Sequence, residues 1–256
     1  MSTKIDGATK ISATWYSPRL RQEMHVVRWG TLGQPVLLFP TAGGDAEECE
    51  RFLMLKVLDP LLTAGRIKVY ACDSVGGRAI IDSKKSVVQK AAIQRQFMQF
   101  IRHEMVPAIR ADCQSPEIPI WAAGASIGAY NAVTAITSFP DVFTRAIGMS
   151  GTYDVQRFLD GFHNEDVHNI APLLYLRFQD QEGPLMNLLR QRFVLLATGE
   201  GRWENASESW KVANLLGKIG VPNRVDLWGK EYDHDWMTWR EMLPKYLSEW
   251  TQKSGE

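Results

Sequence analysis

The sequence predicts an α/β fold, in which helices cover both faces of a mostly parallel sheet. Three observations lead to this prediction. The chain has 256 residues, of which 45% are hydrophobic, and this is enough for a large core. Short apolar runs bounded by turn residues alternate with segments of helical period. The runs are almost continuously apolar, as is typical of parallel strands buried on both faces.

Seven short apolar runs are the predicted strands. They lie at 24–29, 35–39, 67–72, 118–123, 145–149, 192–198 and 224–228. A short turn, Gly30-Thr31-Leu32-Gly33, joins the first two runs. This turn predicts that they pair as an antiparallel hairpin at one edge of the sheet.

Five segments between these runs have the apolar period of a helix. They lie at about 46–63, 86–111, 127–138, 206–218 and 236–251. Residues 151–191 break the alternation, and such an insertion commonly forms a cap over a site. We therefore predict one α/β domain over 1–256 with a cap-like segment at about 151–191. An ordinary excursion packed on the sheet is the alternative.

The composition argues against several classes of partner. The formal net charge is zero and the pI is about 7.0, so no basic field attracts nucleic acid or an anionic membrane. A small or neutral substrate fits this balance better than a polyanion. Three cysteines argue against a disulfide framework. The N-terminus lacks an apolar signal region and no run of 18 apolar residues exists, so we expect a soluble cytoplasmic protein. The oligomeric state stays open.

A candidate nucleophile lies in Gly124-Ala-Ser126-Ile-Gly128, between a predicted strand and a predicted helix. In a nucleophile elbow the serine occupies a tight strand-to-helix turn with strained backbone angles. Its neighbours must be small because a larger side chain would strike the adjacent backbone. The surrounding glycines and alanines leave that space, so Ser126 is predicted to be the nucleophile. A tight glycine turn without chemistry is the alternative.

A serine nucleophile needs a base, and the chain order in α/β-hydrolases is serine, acid, histidine. Of the five histidines, His25 and His103 precede Ser126 and have the wrong order. His163 and His168 lie in the irregular segment. His234 follows the last predicted strand and precedes the last helix, where a loop faces the same cleft as the elbow. His234 is therefore the predicted base.

The acid is expected on the loop after the predicted strand 192–198, where two carboxylates compete. Glu200 follows the strand directly, and Glu204 lies beyond a glycine-rich turn. A longer side chain from further along the loop can reach back toward the histidine. We favour Glu204 and keep Glu200 as the alternative.

An oxyanion hole needs two backbone donors aimed at the developing negative charge. The N–H of Ile127 is one predicted donor. The other is expected from the loop after strand 35–39, where we choose Gly43, with Ala42 and Gly44 as alternatives.

Two tryptophans flank the proposed acid and base, and they are the candidate substrate-binding residues. Trp203 precedes Glu204, and Trp236 follows His234 closely. An aromatic wall around a pocket is the functional interpretation, and core packing is the alternative. No metal-ligand spacing and no complete dinucleotide motif occur, so we expect neither a metal nor another cofactor.

With these residues in hand, the chain resembles the putative esterase family of the α/β-hydrolase superfamily. That family includes S-formylglutathione hydrolases, feruloyl esterases and mycolyltransferases. The likeness covers nearly the whole chain and depends on five stretches: 40–45, 124–128, 162–168 with Pro172, 199–204 and 234–240. The last, His-Asp-Trp-Met-Thr-Trp-Arg, is the most specific.

The resemblance implies a short α/β-hydrolase fold of about eight strands without a large separate lid domain. It also implies a triad of Ser126, Glu204 and His234, with Gly43 and Ile127 as oxyanion donors. The sequence departs from the family at Arg202, where many members have an aspartate three residues past the loop's glycine.

The expected function is a serine carboxylesterase that acts on a small-molecule ester through an acyl-enzyme. An acyltransferase that passes the acyl group to an alcohol or sugar is the alternative. A non-catalytic, esterase-like binding protein is a further one. The acyl and alcohol groups are not specified by the sequence.

Overall fold

The structure, a computed structural model, describes residues 2–5 and 8–252 of the chain. Within these residues nine strands form one sheet in the order β1-β2-β3-β5-β4-β6-β7-β8-β9. The strands are β1 (Ser2–Ile5), β2 (Ala8–Ser17), β3 (Gln22–Trp29), β4 (Gln34–Phe39), β5 (Ile67–Cys72), β6 (Ile120–Ala125), β7 (Phe143–Met149), β8 (Phe193–Thr198) and β9 (Asn223–Leu227). Strands β4 to β9 are parallel, which confirms a mostly parallel sheet. The short edge strand β1 and its neighbour β2 were not predicted.

The predicted hairpin between the runs 24–29 and 35–39 is wrong. Strand β3 pairs antiparallel with β5, where Val26 lies opposite Cys72, and β4 lies on the far side of β5. Gly33, with φ of +109°, lets the connection pass tightly over the backbone of Arg66. Five of the six residues of β4 are buried, so β4 gains more from two neighbouring strands than from an edge position.

Eleven α-helices occur in the described part of the chain. They are α1 (Glu48–Arg51), α2 (Met54–Thr63), α3 (Val75–Ile81), α4 (Val87–Phe100), α5 (Val106–Asp112), α6 (Ile127–Ser138), α7 (Glu165–Ile170), α8 (Pro172–Phe178), α9 (Pro184–Leu189), α10 (Ala206–Lys218) and α11 (Trp236–Thr251). Helices α6, α10 and α11 have the predicted bounds. A 3-10 turn covers Val155–Phe158.

Two predicted helices are interrupted, and four helices were not predicted: α3, and α7, α8 and α9 within the segment 151–191. The predicted helix 46–63 is split into α1 and α2 because Leu53 adopts φ of +61°. The predicted helix 86–111 contains a π-helical turn at Ile101–Met105 between α4 and α5. Helix α3 has two glycines in seven residues, so its sequence carries little helical signal.

The core lies on both faces of the sheet. Along β4, Leu37 and Phe39 join the hydrophobic cluster on the face of α4 and α6. Val36 and Leu38 join the cluster on the face of α2 and α11. This alternation follows from the two-residue period of a strand and confirms that helices cover both faces.

The segment 151–191 packs partly on the helices of one face. Tyr130 of α6 donates a hydrogen bond of 2.6 Å to the carbonyl of Ile170. Arg95 of α4 lies 2.9 Å from the carboxylate of Asp166 in α7. Tyr175 of α8 is buried against α6. Helices α7 and α8 therefore extend the helical layer, and the cap-like role of the segment stays a prediction.

Candidate active site

The backbone at Ser126 has the conformation of a nucleophile elbow. Ser126 lies between β6 and α6 with φ of +55° and ψ of −119°. Such angles are unfavourable for a residue with a side chain and are typical of strained functional turns. A Cβ on Gly124 would overlap the backbone of Gly128, and a Cβ on Gly128 would overlap the carbonyl oxygen of Phe39. Glycine at both positions is therefore a steric requirement of this turn.

The elbow is tied to the end of the neighbouring strand. The Ser126 N–H donates to the carbonyl of Met149 at 3.0 Å, and the Ser126 carbonyl accepts from the N–H of Thr152 at 3.2 Å. The Ser126 residue is partly exposed. Among the described residues its hydroxyl has no hydrogen-bond partner, so the side chain stays free to meet a substrate.

The structure brings Glu204 and His234 together at the same edge of the sheet. His234 Nδ1 lies 3.6 Å from Glu204 Oε2. The side chain of Glu204 is 1% exposed, and that of His234 is 23% exposed. The distance exceeds a hydrogen bond and is within the range of an ion pair when the imidazole is protonated. Glu200, the alternative acid, is exposed on the same loop.

Both carboxylate oxygens of Glu204 accept hydrogen bonds from neighbouring strand ends. The Ser150 hydroxyl donates to Oε1 at 2.5 Å, and the Thr198 hydroxyl donates to Oε2 at 3.1 Å. Trp239 Nε1 donates to the Ser150 oxygen at 2.9 Å. A buried carboxylate held by two donors has a fixed position and orientation toward the imidazole.

An ion pair joins the loop of the acid to the loop of the histidine. Asp233 accepts from the N–H of Arg202 at 2.7 Å and from its Nε at 2.8 Å. The N–H of His234 donates to the carbonyl of Arg202 at 3.0 Å. The hydrogen bond from Arg202 lowers the pKa of Asp233 below its usual value, so the pair stays charged near neutral pH. Arg202, which departs from the family pattern, thus holds these two loops together.

Ser126 is linked to this pair through the end of β7. Its N–H binds Met149, and the next residue along the chain, Ser150, binds Glu204. No hydrogen bond between Ser126 and His234 is formed among the described residues. Catalytic hydrogen bonds often tighten only when a substrate is bound.

The hydrogen bonds of the loop 40–45 show which of its backbone N–H groups are free to bind an oxyanion. The N–H of Thr41 donates to the carboxylate of Glu48 at 2.8 Å, and the N–H of Gly44 donates to the carbonyl of Thr41 at 3.1 Å. Within the described residues the N–H groups of Ala42 and Gly43 have no acceptor. The N–H of Gly44 is therefore used within the turn, whereas the N–H of Gly43 or of Ala42 is available as the second oxyanion donor.

Ile127 is the first residue of α6, so its N–H has no acceptor inside the helix. It also has no other acceptor among residues 2–5 and 8–252. The N-terminus of a helix favours negative charge, which suits a developing oxyanion.

The two candidate substrate-binding tryptophans lie in different surroundings. Trp203 is 80% exposed and adopts φ of +61°. Trp236 stacks on Phe52 with ring centroids 4.9 Å apart and contacts Trp239 edge-on at 5.3 Å. Trp239 in turn lies 5.2 Å from the ring of His234. Trp236 thus belongs to an aromatic row that ends on His234, whereas Trp203 projects into solvent. Their binding roles stay predictions.

Sequence reasoning missed the groups that support the acid. Ser150 and Thr198 are single hydroxyl residues at strand ends, and their spacing from Glu204 is not local. Trp239 was included only as part of the stretch 234–240. Only the packing of β7, β8 and α11 shows that these side chains meet.

An inner strand that turns into a helix at a strained serine, within a mostly parallel sheet, defines an α/β-hydrolase. The family model described as "Putative esterase" matches residues 72–253. The chain therefore belongs to the putative esterase family and is a serine hydrolase that acts on esters.

Solved structures share this fold at low sequence identity. A ferulic acid esterase is 16% identical with a TM-score of 0.73, covering 95% of this chain and 98% of its own. An S-formylglutathione hydrolase from Agrobacterium tumefaciens is 13% identical with a TM-score of 0.69, covering 98% and 97%. MPT51 (FbpC1) from Mycobacterium tuberculosis is 18% identical with a TM-score of 0.66, covering 93% and 98%. None of the curated proteins searched matches the chain significantly.

Two features are absent from the described part of the chain: a cluster of metal-ligating side chains and a helix that could span a membrane. Residues 2–5 and 8–252 contain no group of three or more histidine, cysteine or acidic side chains that could hold a metal ion. Nor does this part contain a helix with the length and apolarity needed to cross a membrane.

Proposed function

We propose that the protein is a carboxylesterase that hydrolyses small or medium acyl esters through an acyl-enzyme on Ser126. The observation that carries this proposal is the buried Glu204 carboxylate facing His234 Nδ1 at 3.6 Å, at the sheet edge where Ser126 forms a strained elbow. A buried acid holds the imidazole in the tautomer that leaves Nε2 free to accept a proton.

A residue of this chain can be assigned to each step of ester hydrolysis. Ser126 Oγ attacks the ester carbonyl carbon as His234 Nε2 takes its proton. The N–H groups of Ile127 and Gly43 bind the oxyanion. His234 returns the proton to the departing alkoxide, and the acyl group stays on Ser126. Water then attacks the acyl-enzyme as His234 takes its proton. His234 returns this proton to the departing Ser126 oxygen, which releases the carboxylic acid and restores the enzyme.

The first experiment compares the wild type with Ser126→Ala on p-nitrophenyl acetate. We expect kcat/KM to fall on the order of a thousandfold or more, because the nucleophile is removed. A variant that hydrolyses this ester at the wild-type rate would end the proposal.

A fluorophosphonate probe tests the nucleophile without a choice of substrate. Mass spectrometry should locate the label on Ser126, and His234→Ala should slow the labelling. An absence of label on Ser126 would favour a non-catalytic binding protein. Product analysis with a competing alcohol distinguishes hydrolysis from acyl transfer, since a transferase would form mainly the new ester.

A further inference from the structure

A cavity of about 460 Å³ lies between the β2–β3 turn, α3 and α4, and it is lined by an excess of cations. Four basic side chains line it, Arg19, Arg21, Arg78 and Lys85, against one acidic side chain, Asp82. The whole chain has zero net charge, so this is a local concentration of positive charge. Clefts lined by one sign of charge attract the opposite sign.

The cavity lies at the same edge of the sheet as Ser126. Strand β3 runs antiparallel to β5, and Val26 lies opposite Cys72, the last residue of β5. The start of β3 and the turn before it therefore extend past the carboxyl end of β5. Helix α3 also begins just after β5. The carboxyl ends of parallel strands form the binding edge in open α/β sheets.

The cavity also borders the loop that supplies the proposed oxyanion donor. Arg78 donates a hydrogen bond of 2.8 Å to the carbonyl of Gly44. A Cβ on Gly77 would lie 3.0 Å from the carbonyl oxygen of Ala42, so α3 packs directly on this loop. A substrate whose carbonyl meets Gly43 could extend into the cavity.

Two of the four basic side chains, Arg21 and Arg78, form no ion pair among the described residues. Arg19 is paired with Glu104 at 3.0 Å, and Lys85 is paired with Asp82 at 3.4 Å. The guanidinium of Arg78 makes one hydrogen bond, to a neutral carbonyl. The side chain of Arg21 has no hydrogen-bond or ion-pair partner among the described residues.

The other acidic groups near Arg78 are committed elsewhere. Asp45 binds the guanidinium of Arg51 with both oxygens, each at 2.9 Å. Asp73 accepts from the N–H groups of Ala46 and His25. Neither carboxylate forms an ion pair with Arg78, and among the described residues Arg21 has no ion-pair partner either.

We propose that this cavity binds an anionic group, carboxylate or phosphate, on the ester substrate, with Arg21 and Arg78 as its ligands. Arginine matches both groups because its planar fork can donate two parallel hydrogen bonds. This inference rests on the proposed function and specifies its substrate class: an ester that carries a negative charge away from the bond that is cleaved.

The kinetic test compares two esters with the same leaving group, 4-nitrophenyl butanoate and the 4-nitrophenyl monoester of succinate. The readout is the ratio of kcat/KM for the charged ester to that for the neutral one. Arg21→Gln should lower this ratio about tenfold, the effect of one charge-assisted hydrogen bond. Arg177→Gln, an exposed arginine of α8 outside the cavity, should leave it unchanged. Equal ratios in the wild type and Arg21→Gln would overturn the inference.

Calorimetry gives a second readout that does not require turnover. Succinate and inorganic phosphate are titrated separately into the wild type and into Arg21→Gln. Weaker binding to Arg21→Gln supports the site, and the anion that binds more tightly identifies the group. Binding of neither anion to the wild type would contradict it. If the butanoate ester is hydrolysed and Ser126 is labelled while these tests fail, only the anion site is refuted.

Discussion

Ser150 holds Glu204 by a hydrogen bond of 2.5 Å from its hydroxyl to Oε1. Ser150 is the first residue after β7, and it adopts φ of +47°. The hydroxyl oxygen of Ser150 accepts a hydrogen bond from the indole N–H of Trp239, so a residue of the last helix supports Glu204 through Ser150. The position of the proposed triad acid therefore depends on three elements that are distant in sequence.

The first prediction concerns this support. Ser150→Ala removes one ligand of Glu204 and leaves the buried Trp239 N–H without an acceptor, so the histidine loses orientation. We expect kcat to fall about tenfold, with little change in KM, and the free energy of unfolding to fall by about 1–3 kcal/mol. Steady-state kinetics and thermal unfolding measure both.

A control variant tests whether the loss of any serine hydroxyl would lower kcat and the free energy of unfolding in the same way. Ser12 is exposed on β2, and Ser12→Ala should change neither quantity. If Ser150→Ala lowered the unfolding temperature but kept the wild-type kcat, Ser150 would support the fold and not the acid.

The second prediction distinguishes the two glutamates of the acid loop. Glu204→Gln replaces the buried carboxylate next to His234 and should lower kcat by about a hundredfold or more, because the imidazole loses its tautomer control. Glu200→Gln, on the same loop but exposed, should keep nearly wild-type kcat. Parallel measurements of kcat on one ester decide between them. A larger loss in Glu200→Gln would reverse the assignment.

The third prediction concerns close packing at the elbow. In Gly128→Ala the new methyl group would overlap the carbonyl oxygen of Phe39, so β4 and α6 must separate. We expect a loss of about 1–3 kcal/mol in the free energy of unfolding together with loss of activity. Urea unfolding and ester hydrolysis measure these effects.

Gly43→Ala is the matched substitution on the other side of the site. A Cβ at position 43 meets nothing within 4 Å, so this substitution should leave the free energy of unfolding unchanged. Residue 43 also keeps its backbone N–H, the proposed oxyanion donor. Equal destabilisation by both substitutions would show that the contact with Phe39 is not the cause.

The fourth prediction is a pH dependence of stability at Glu208, on α10. Burial raises the pKa of Glu208, but hydrogen bonds from Lys211 and from the N–H groups of Asp154 and Tyr153 outweigh it and lower the pKa below 4.5. These bonds anchor the loop after Ser150. A lowered folded-state pKa contributes stability above the unfolded value, and this contribution is lost as the pH falls through the folded value.

Glu208→Gln should therefore be less stable than the wild type near pH 6, and the difference should shrink as the pH falls below 4.5. Urea unfolding at a series of pH values measures it. Glu117 is exposed, and Glu117→Gln should show no such trend. A difference that grows toward acid pH would contradict the prediction.

The elements of strong period were predictable from local sequence. Helices α6, α10 and α11 have the bounds that their apolar period predicted. The mostly parallel sheet followed from the continuous apolar runs. Strand β2 was missed because most of its side chains are exposed and show little apolar alternation.

The residues of the candidate site also fall into two groups, those that local sequence could predict and those that depend on tertiary packing. Ser126 was accessible from the sequence because the small residues around it are a local steric requirement. Glu204 and Glu200 could not be separated with certainty, since burial next to His234 depends on how two loops meet. The ligands of Glu204 and the cations of the cavity left no local pattern at all.

The sequence by itself determined the alternation of strands and helices, the elbow at Ser126 and the order of serine, acid and histidine, because period, glycine spacing and chain order are local properties. Tertiary structure alone decided that β3 pairs with β5, that Glu204 and not Glu200 is the carboxylate buried beside His234, and that Arg21 and Arg78 line one cavity. These relationships join segments far apart in sequence, and their energies arise from packing and hydrogen bonds that form only when the sheet is assembled.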